Sequence, residues 1–265
     1  MTNFDGWIAD EDVGNKYLEK CKLFSDDEKS FNNFRRDIDY TKVLEGGQRV
    51  VGDIHLERIM KRGNIRFLLD NIKAFKENDK YGNPILMDFG IVNNINPCTL
   101  LYISHLCDMR IIMQDFKPKK ILEIGGGFGG FCKIFSSIYD FDEYIMIDLP
   151  AAISLARKYL SNFPELFNKI IFITTEELKF ISSIDNIDLF VASASLSECD
   201  EETQHYYIDN FLLKSKYGYI IYNTAERFPD TYIFILAKLI EHFNILAEKF
   251  YDIEVLLLEN KINGD

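Results

Sequence analysis

Apolar positions along the chain keep two different rhythms. Between Asp53 and Lys76 they fall at Ile54, Leu56, Ile59, Met60, Ile65, Leu68, Leu69, Ile72 and Phe75. That spacing follows the 3.6-residue period of a helix with one buried stripe. A second helix is predicted around Val13–Phe24, inside an otherwise polar segment, and a third from Thr99 to Phe116, after Asn96-Pro97 and before Pro118. Turn residues separate these segments at Gly46-Gly47 and at Tyr81-Gly82-Asn83-Pro84. From Lys119 onward the rhythm shortens. Apolar runs predict strands at Lys120–Ile124, Tyr144–Ile147, Ile170–Ile173, Asp188–Ala192, Tyr219–Tyr222, Ile245–Phe250 and Glu254–Leu258. Helical segments fit between them at Gly130–Ile138, Pro150–Asn162, Glu201–Lys214 and Thr231–Phe243. Such alternation builds a parallel sheet flanked by helices. Only Tyr251-Asp252 separates the last two strands, too little for a parallel crossover, so they must form an antiparallel hairpin. The pattern divides the chain into a mainly helical extension, residues 1–115, and an α/β domain, residues 116–265.

Composition narrows the setting. Hydrophobic residues make up 47% of the 265 positions, enough for a sizeable core. No apolar run is long enough to cross a bilayer, and the first residues lack the basic stretch and apolar core of a secretory signal. Cys21, Cys98, Cys107, Cys132 and Cys199 are scattered and form no C-x-x-C pair, a pattern of reduced thiols in a cytoplasmic protein. The net charge of −12 and the short, separated basic clusters argue against a nucleic-acid partner, so a small-molecule or glycan-precursor acceptor is expected.

The segment Lys120-Ile121-Leu122-Glu123-Ile124-Gly125-Gly126-Gly127-Phe128-Gly129-Gly130 reads strand, turn, helix. Glycines belong where a backbone turns sharply and must approach a ligand closely. The helix that follows presents unpaired N–H groups to a carboxylate. S-adenosylmethionine (SAM) carries that carboxylate and an ammonium group, for which Glu123 is the candidate partner. Asp148 ends the next strand, where an acid accepts hydrogen bonds from ribose hydroxyls. Leu149 is expected beside the adenine, and Ser193, after the fourth strand, completes the cofactor set with Gly125, Gly126, Gly127 and Gly129. Gly125, Gly127 and Gly130 also satisfy G-x-G-x-x-G, which leaves NAD as the competing cofactor. Glu123, the further glycine at 129 and the hairpin ending favour SAM, because an NAD fold continues into a second nucleotide-binding half.

Here the chain resembles a known family. Ile121 to Gly130, then Ile147-Asp148-Leu149-Pro150, Ser193-Ala194-Ser195-Leu196-Ser197-Glu198 and Asn223-Thr224-Ala225-Glu226, look like the sugar O-methyltransferases of bacterial capsule and lipopolysaccharide gene clusters. The resemblance covers roughly residues 95 to 230. It implies the class I methyltransferase fold, a Rossmann-like seven-stranded sheet, mostly parallel with an antiparallel terminal hairpin. It also implies methyl transfer to an oxygen of a surface-polysaccharide precursor, with S-adenosyl-L-homocysteine (SAH) as product. The N-terminal segment matches no motif and is expected to act as a cap or to form a homodimer.

Methyl transfer from a sulfonium is an in-line displacement that chiefly needs positioning, and a hydroxyl acceptor gains from a nearby base. Acceptors in this architecture lie beyond the carboxyl ends of the strands. Glu198 and His205 are therefore the candidate bases, and Asn223, Glu226 and Arg227 the candidate acceptor contacts. Ser197 or Asp200 is expected to cap the helix that begins at Glu201. The acids from Glu198 to Glu202 lack supporting histidines, so no metal is expected. A phosphate or phosphoramidate oxygen is an alternative acceptor. An NAD-dependent sugar-nucleotide enzyme and a non-catalytic SAM-fold subunit are alternatives of other classes.

Overall fold

The computed structural model describes residues 11–44, 48–181, 183–223, 229–250 and 253–261. Its N-terminal half is helical: α1 (Glu11–Asp26), α2 (Glu28–Phe31), α3 (Ile38–Thr41), α4 (Arg49–Lys61), α5 (Ile65–Phe75) and α6 (Pro97–Met113). Local side chains set these boundaries. Asp27 and Asp37 accept backbone N–H bonds at the starts of α2 and α3. Asn96 accepts from Cys98 N, with Pro97 at the first helical position, so α6 begins earlier than its apolar pattern suggests. The single helix predicted over 53–76 is two helices. At Gly63 the backbone adopts φ +70°, Gly63 N donates to Met60 O, and Asn64 N donates to Ile59 O. That pair of bonds closes a helix end, and Gly63 takes the left-handed conformation without a Cβ penalty. The Gly46-Gly47 turn lies outside the described residues.

The second half alternates as expected: β1 (Lys120–Ile124), α7 (Gly130–Ser136), β2 (Glu143–Asp148), α8 (Pro150–Leu160), α9 (Pro164–Phe167), β3 (Ile170–Thr174), β4 (Ile187–Ser193), α10 (Glu201–Asn210), β5 (Ser215–Asn223), α11 (Pro229–His242), β6 (Phe243–Phe250) and β7 (Ile253–Asn260). The strands form one sheet in the order β3-β2-β1-β4-β5-β7-β6. The five strands β1 to β5 are parallel, and β7 runs antiparallel to both β5 and β6. This is the class I methyltransferase sheet. β5 extends to Ser215 because it is hydrogen-bonded on both sides, by β4 and β7. The helix predicted to Lys214 ends at Asn210, followed by a 3-10 turn at Leu212–Lys214. Among the described residues, no helix is long and apolar enough to cross a membrane.

Alternation along the strands divides the core between two faces. Leu122, Ile124, Ile145, Ile147, Phe190, Ala192 and Ile220 pack with Tyr207 and Ile208 of α10 and Ile235 and Leu239 of α11. Ile121, Tyr144, Met146, Leu189, Val191 and Tyr219 pack on the other face, with residues of α1, α4, α6, α7 and α8. Burying each such aliphatic side chain contributes about 1.5–3 kcal/mol. The strand order reverses at β1, between β2 and β4, and opens a crevice beyond the carboxyl ends of these strands.

Candidate functional site

The glycine loop turns into that crevice. Gly125 (φ +74°) ends β1 and donates to Ile147 O at 2.8 Å; a Cβ there would lie 2.2 Å from the Ser195 Cβ. Gly127 (φ +57°) donates to Asp148 Oδ2 at 2.8 Å, and a Cβ would lie 2.8 Å from Leu44 Cδ1. A side chain at either position would meet both backbone strain and steric contact. Asp148 holds the loop through Gly127 N and accepts Leu149 N at 2.7 Å with its other oxygen. Burial pushes its carboxyl up to about 6, and these two N–H donors act against the shift.

A cavity of about 160 Å³ opens on this loop. Gly125, Gly127, Asp148, Leu149, Ser193 and Glu198 line it, all from the predicted set. Ser195 joins them, its hydroxyl donating to Ile124 O at 2.5 Å and thereby bracing the fourth-strand loop against the first. Glu198 lies at the end of a 3-10 turn, Leu196–Glu198, and its charge helps raise Asp148. Asp200 caps α10 by accepting Thr203 N at 2.7 Å.

Other predicted residues stand outside this lining. Strand alternation turns Glu123 to the face of the N-terminal helices, where it is 3% exposed and accepts Tyr144 OH at 2.7 Å. Burial pushes its carboxyl up to about 8, against the Tyr144 hydrogen bond. Gly126 lies over Met146 and Gly129 over Leu160, so both serve close packing behind the loop. His205 packs its ring 4.9 Å from that of Phe234, on the α11 side of α10. Asn223 is exposed at the end of β5, its N–H donating to Ser197 Oγ at 3.2 Å. Glu226 and Arg227 lie outside the described residues.

The cavity also contains residues that the sequence reading missed. Tyr17 of α1, with Val43 and Leu44 after α3, reaches over the loop from the N-terminal layer, and Thr175 closes the β3 side. Thr175 Oγ1 is buried without a hydrogen-bond partner, a free polar contact at the cavity wall. Tyr17 was legible as one apolar-face residue of a helix, but nothing local marked it as cofactor-facing. No lysine or arginine belongs to the described lining, whereas Asp148 and Glu198 do.

No family model matches the chain, and no curated protein matches it in sequence. Among solved structures, the chain is similar to the N-methyltransferase NodS from Bradyrhizobium japonicum, in complex with SAH, at 14% identity over 72% of this chain and 98% of that one, with a TM-score of 0.47. It is similar to an O-methyltransferase family protein from Burkholderia thailandensis at 12% identity, over 78% and 72% of the two chains, with a TM-score of 0.45. For TrmK from M. capricolum, in complex with SAH, identity is 15% over 58% of this chain and 68% of that one, with a TM-score of 0.40. The strand order and the terminal hairpin give the chain its class I methyltransferase fold.

Proposed function

We propose that this chain is a SAM-dependent O-methyltransferase acting on a sugar or sugar-linked group of a bacterial surface-polysaccharide precursor. The observation that carries the cofactor is the glycine-walled cavity whose charged lining is acidic, Asp148 and Glu198, with no cation among its described residues. Such a wall suits a ligand with a sulfonium and an ammonium, and it disfavours the pyrophosphate of NAD. The residues fit the group in two further respects. Gly125 and Gly127 let the turn pack against Ser195 and Leu44 at the cavity, where a Cβ would clash, and the unpartnered Thr175 hydroxyl offers a polar contact.

SAM, when bound, supplies a methyl carbon activated by its sulfonium. In this reading Asp148 accepts the ribose hydroxyls while it keeps Gly127 in place. Leu149 and Thr175 flank the adenine, and Ser193 borders the methionine side. Glu123 acts from behind the first strand, through its hydrogen bond with Tyr144. Glu198 takes the proton of the acceptor hydroxyl as the new oxygen–carbon bond forms. Glu198 is preferred to His205 because it borders the cavity and His205 packs on Phe234. Asn223, Glu226 and Arg227 are assigned to the acceptor side, and residues 1–115 to a cap, in keeping with Tyr17, Val43 and Leu44 at the cavity. The acceptor class rests on the resemblance of the loop motifs.

The test is a mass-spectrometric screen of nucleotide-linked and lipid-linked saccharide precursors for gain of one methyl group. Methylation by the wild type is expected, slowed roughly 10²–10⁴-fold in Glu198→Gln, with SAH affinity retained. Methylation of a nucleic acid or an amine, with every saccharide untouched, would overturn the acceptor assignment.

A further inference from the structure

A concavity of about 740 Å³ lies at the amino ends of β2 and β3, the opposite end of the sheet from the glycine loop. It shares no residue with the cofactor cavity. Its volume falls within the roughly 300–1,000 Å³ usual for small-molecule sites. Lys133 of α7 lines it and is only 9% exposed. A buried ammonium needs a counter-charge or a full set of acceptors to offset its lost hydration. Lys133 has neither. Among the described residues no carboxylate lies within 4 Å of it, and its hydrogen bond is to the neutral Ser137 Oγ, at 3.1 Å.

Of the nearby acids, Glu165, in the same lining, is exposed and makes no ion pair with Lys133, and two others have partners of their own. Glu77, whose field reaches Lys133, is paired with Lys80, and Asp140 is paired with Lys169 at 2.6 Å. Burial accordingly pushes the Lys133 ammonium below its ordinary range. The Phe163 ring, part of the same lining, has its centroid 5.1 Å from Lys133 Nζ and is half-buried. The concavity thus joins an ammonium with no carboxylate within 4 Å to a half-buried aromatic ring that Tyr81 and Tyr159 hold in place.

We propose that this concavity is a second ligand site, for a small molecule that carries a phosphate or carboxylate group on a flat ring. The anion pairs with Lys133, and the ring rests on Phe163.

Calorimetry on the full chain at fixed ionic strength, with phenyl phosphate, benzoate and inorganic phosphate as probes, tests this. At least one ring-bearing probe should bind more tightly than inorganic phosphate, and comparison of the two identifies the preferred anion. Lys133→Met keeps the length of the apolar stem and removes the charge; it should weaken that probe about tenfold or more. Near-ultraviolet circular dichroism would confirm that the variant is folded. Phe163→Leu keeps the charge and should bring the ring-bearing probe down to the level of inorganic phosphate. Equal binding by Lys133→Met and wild type, or no binding of either ring-bearing probe at millimolar concentration, would overturn the site.

Discussion

Under α10 and α11, the sheet is closed by Leu122, Ile124, Ile145, Ile147 and Ile220, and its stability there follows buried area. Under the N-terminal helices, the opposite face buries Glu123, Asp108, Arg58, His55 and His105 among aromatic rings. Asp108, fully buried, accepts Arg58 Nε at 2.9 Å, Arg62 Nε at 3.1 Å and Tyr219 OH at 3.2 Å, and both arginines also reach Glu248 of β6. His55 meets Ser104 at 2.8 Å. The first face rests chiefly on the alternation of apolar residues, with the buried Tyr222–Gln204 hydrogen bond as a polar exception. The second needs particular partners, brought from distant points of the chain.

The contrast can be broken most sharply at Asp108. Asp108→Ala would leave Arg58 buried with only the half-exposed Glu248 as counter-ion and should lower unfolding stability by about 3–5 kcal/mol in denaturant titrations. A loss no greater than that of an aliphatic trimming would show that the network contributes little. Next in size is the loop acid. Asp148→Ala removes the acceptor of Gly127 N and Leu149 N and should weaken SAH binding by about 1.5–3 kcal/mol. Unchanged affinity would remove Asp148 from the site.

A subtler distinction lies in pH. Glu123 is pushed up to about 8 in the folded chain from an ordinary 4.5, so the native state binds a proton that the unfolded chain releases. That contribution is present at low pH and is lost as pH rises through about 8, at up to about 1.4 kcal/mol per pH unit. His55, lowered to about 4 by burial and by Arg58, acts in the opposite sense below its ordinary 6.5, which leaves pH 7 to 8 as the clear window. Glu123→Gln should flatten the stability curve there, and an unchanged slope would exclude a protonated Glu123. Smallest is Ile147→Val on the aliphatic face, expected to cost about 0.5–1.5 kcal/mol without a pH-dependent component.

The same contrast explains what could be read from the sequence. All seven strands were legible, because period-two and continuous apolar runs are local signals. The break at Gly63 was not, because the apolar spacing continues across it and only the two capping bonds reveal the helix end. In the cavity, Gly125, Gly127, Asp148, Leu149, Ser193 and Glu198 were found through motifs at strand ends. Tyr17, Leu44 and Thr175 were missed: the first two arrive from the N-terminal layer, and Thr175 is an isolated hydroxyl after β3. Glu123 was found by motif but paired by geometry with Tyr144, since strand alternation decides which face a side chain serves.

The Gly125–Gly127 turn, with Asp148 behind it, is the proposed seat of SAM. Calorimetry of the full chain with SAH and with NAD, on wild type and Gly127→Val, tests it most directly. Wild type is expected to bind SAH at micromolar concentration and to show no measurable NAD binding. Gly127→Val should stay folded and lose SAH binding, since valine there combines φ +57° with the Leu44 contact. Micromolar NAD binding without SAH binding, or unimpaired SAH binding by Gly127→Val, would contradict it.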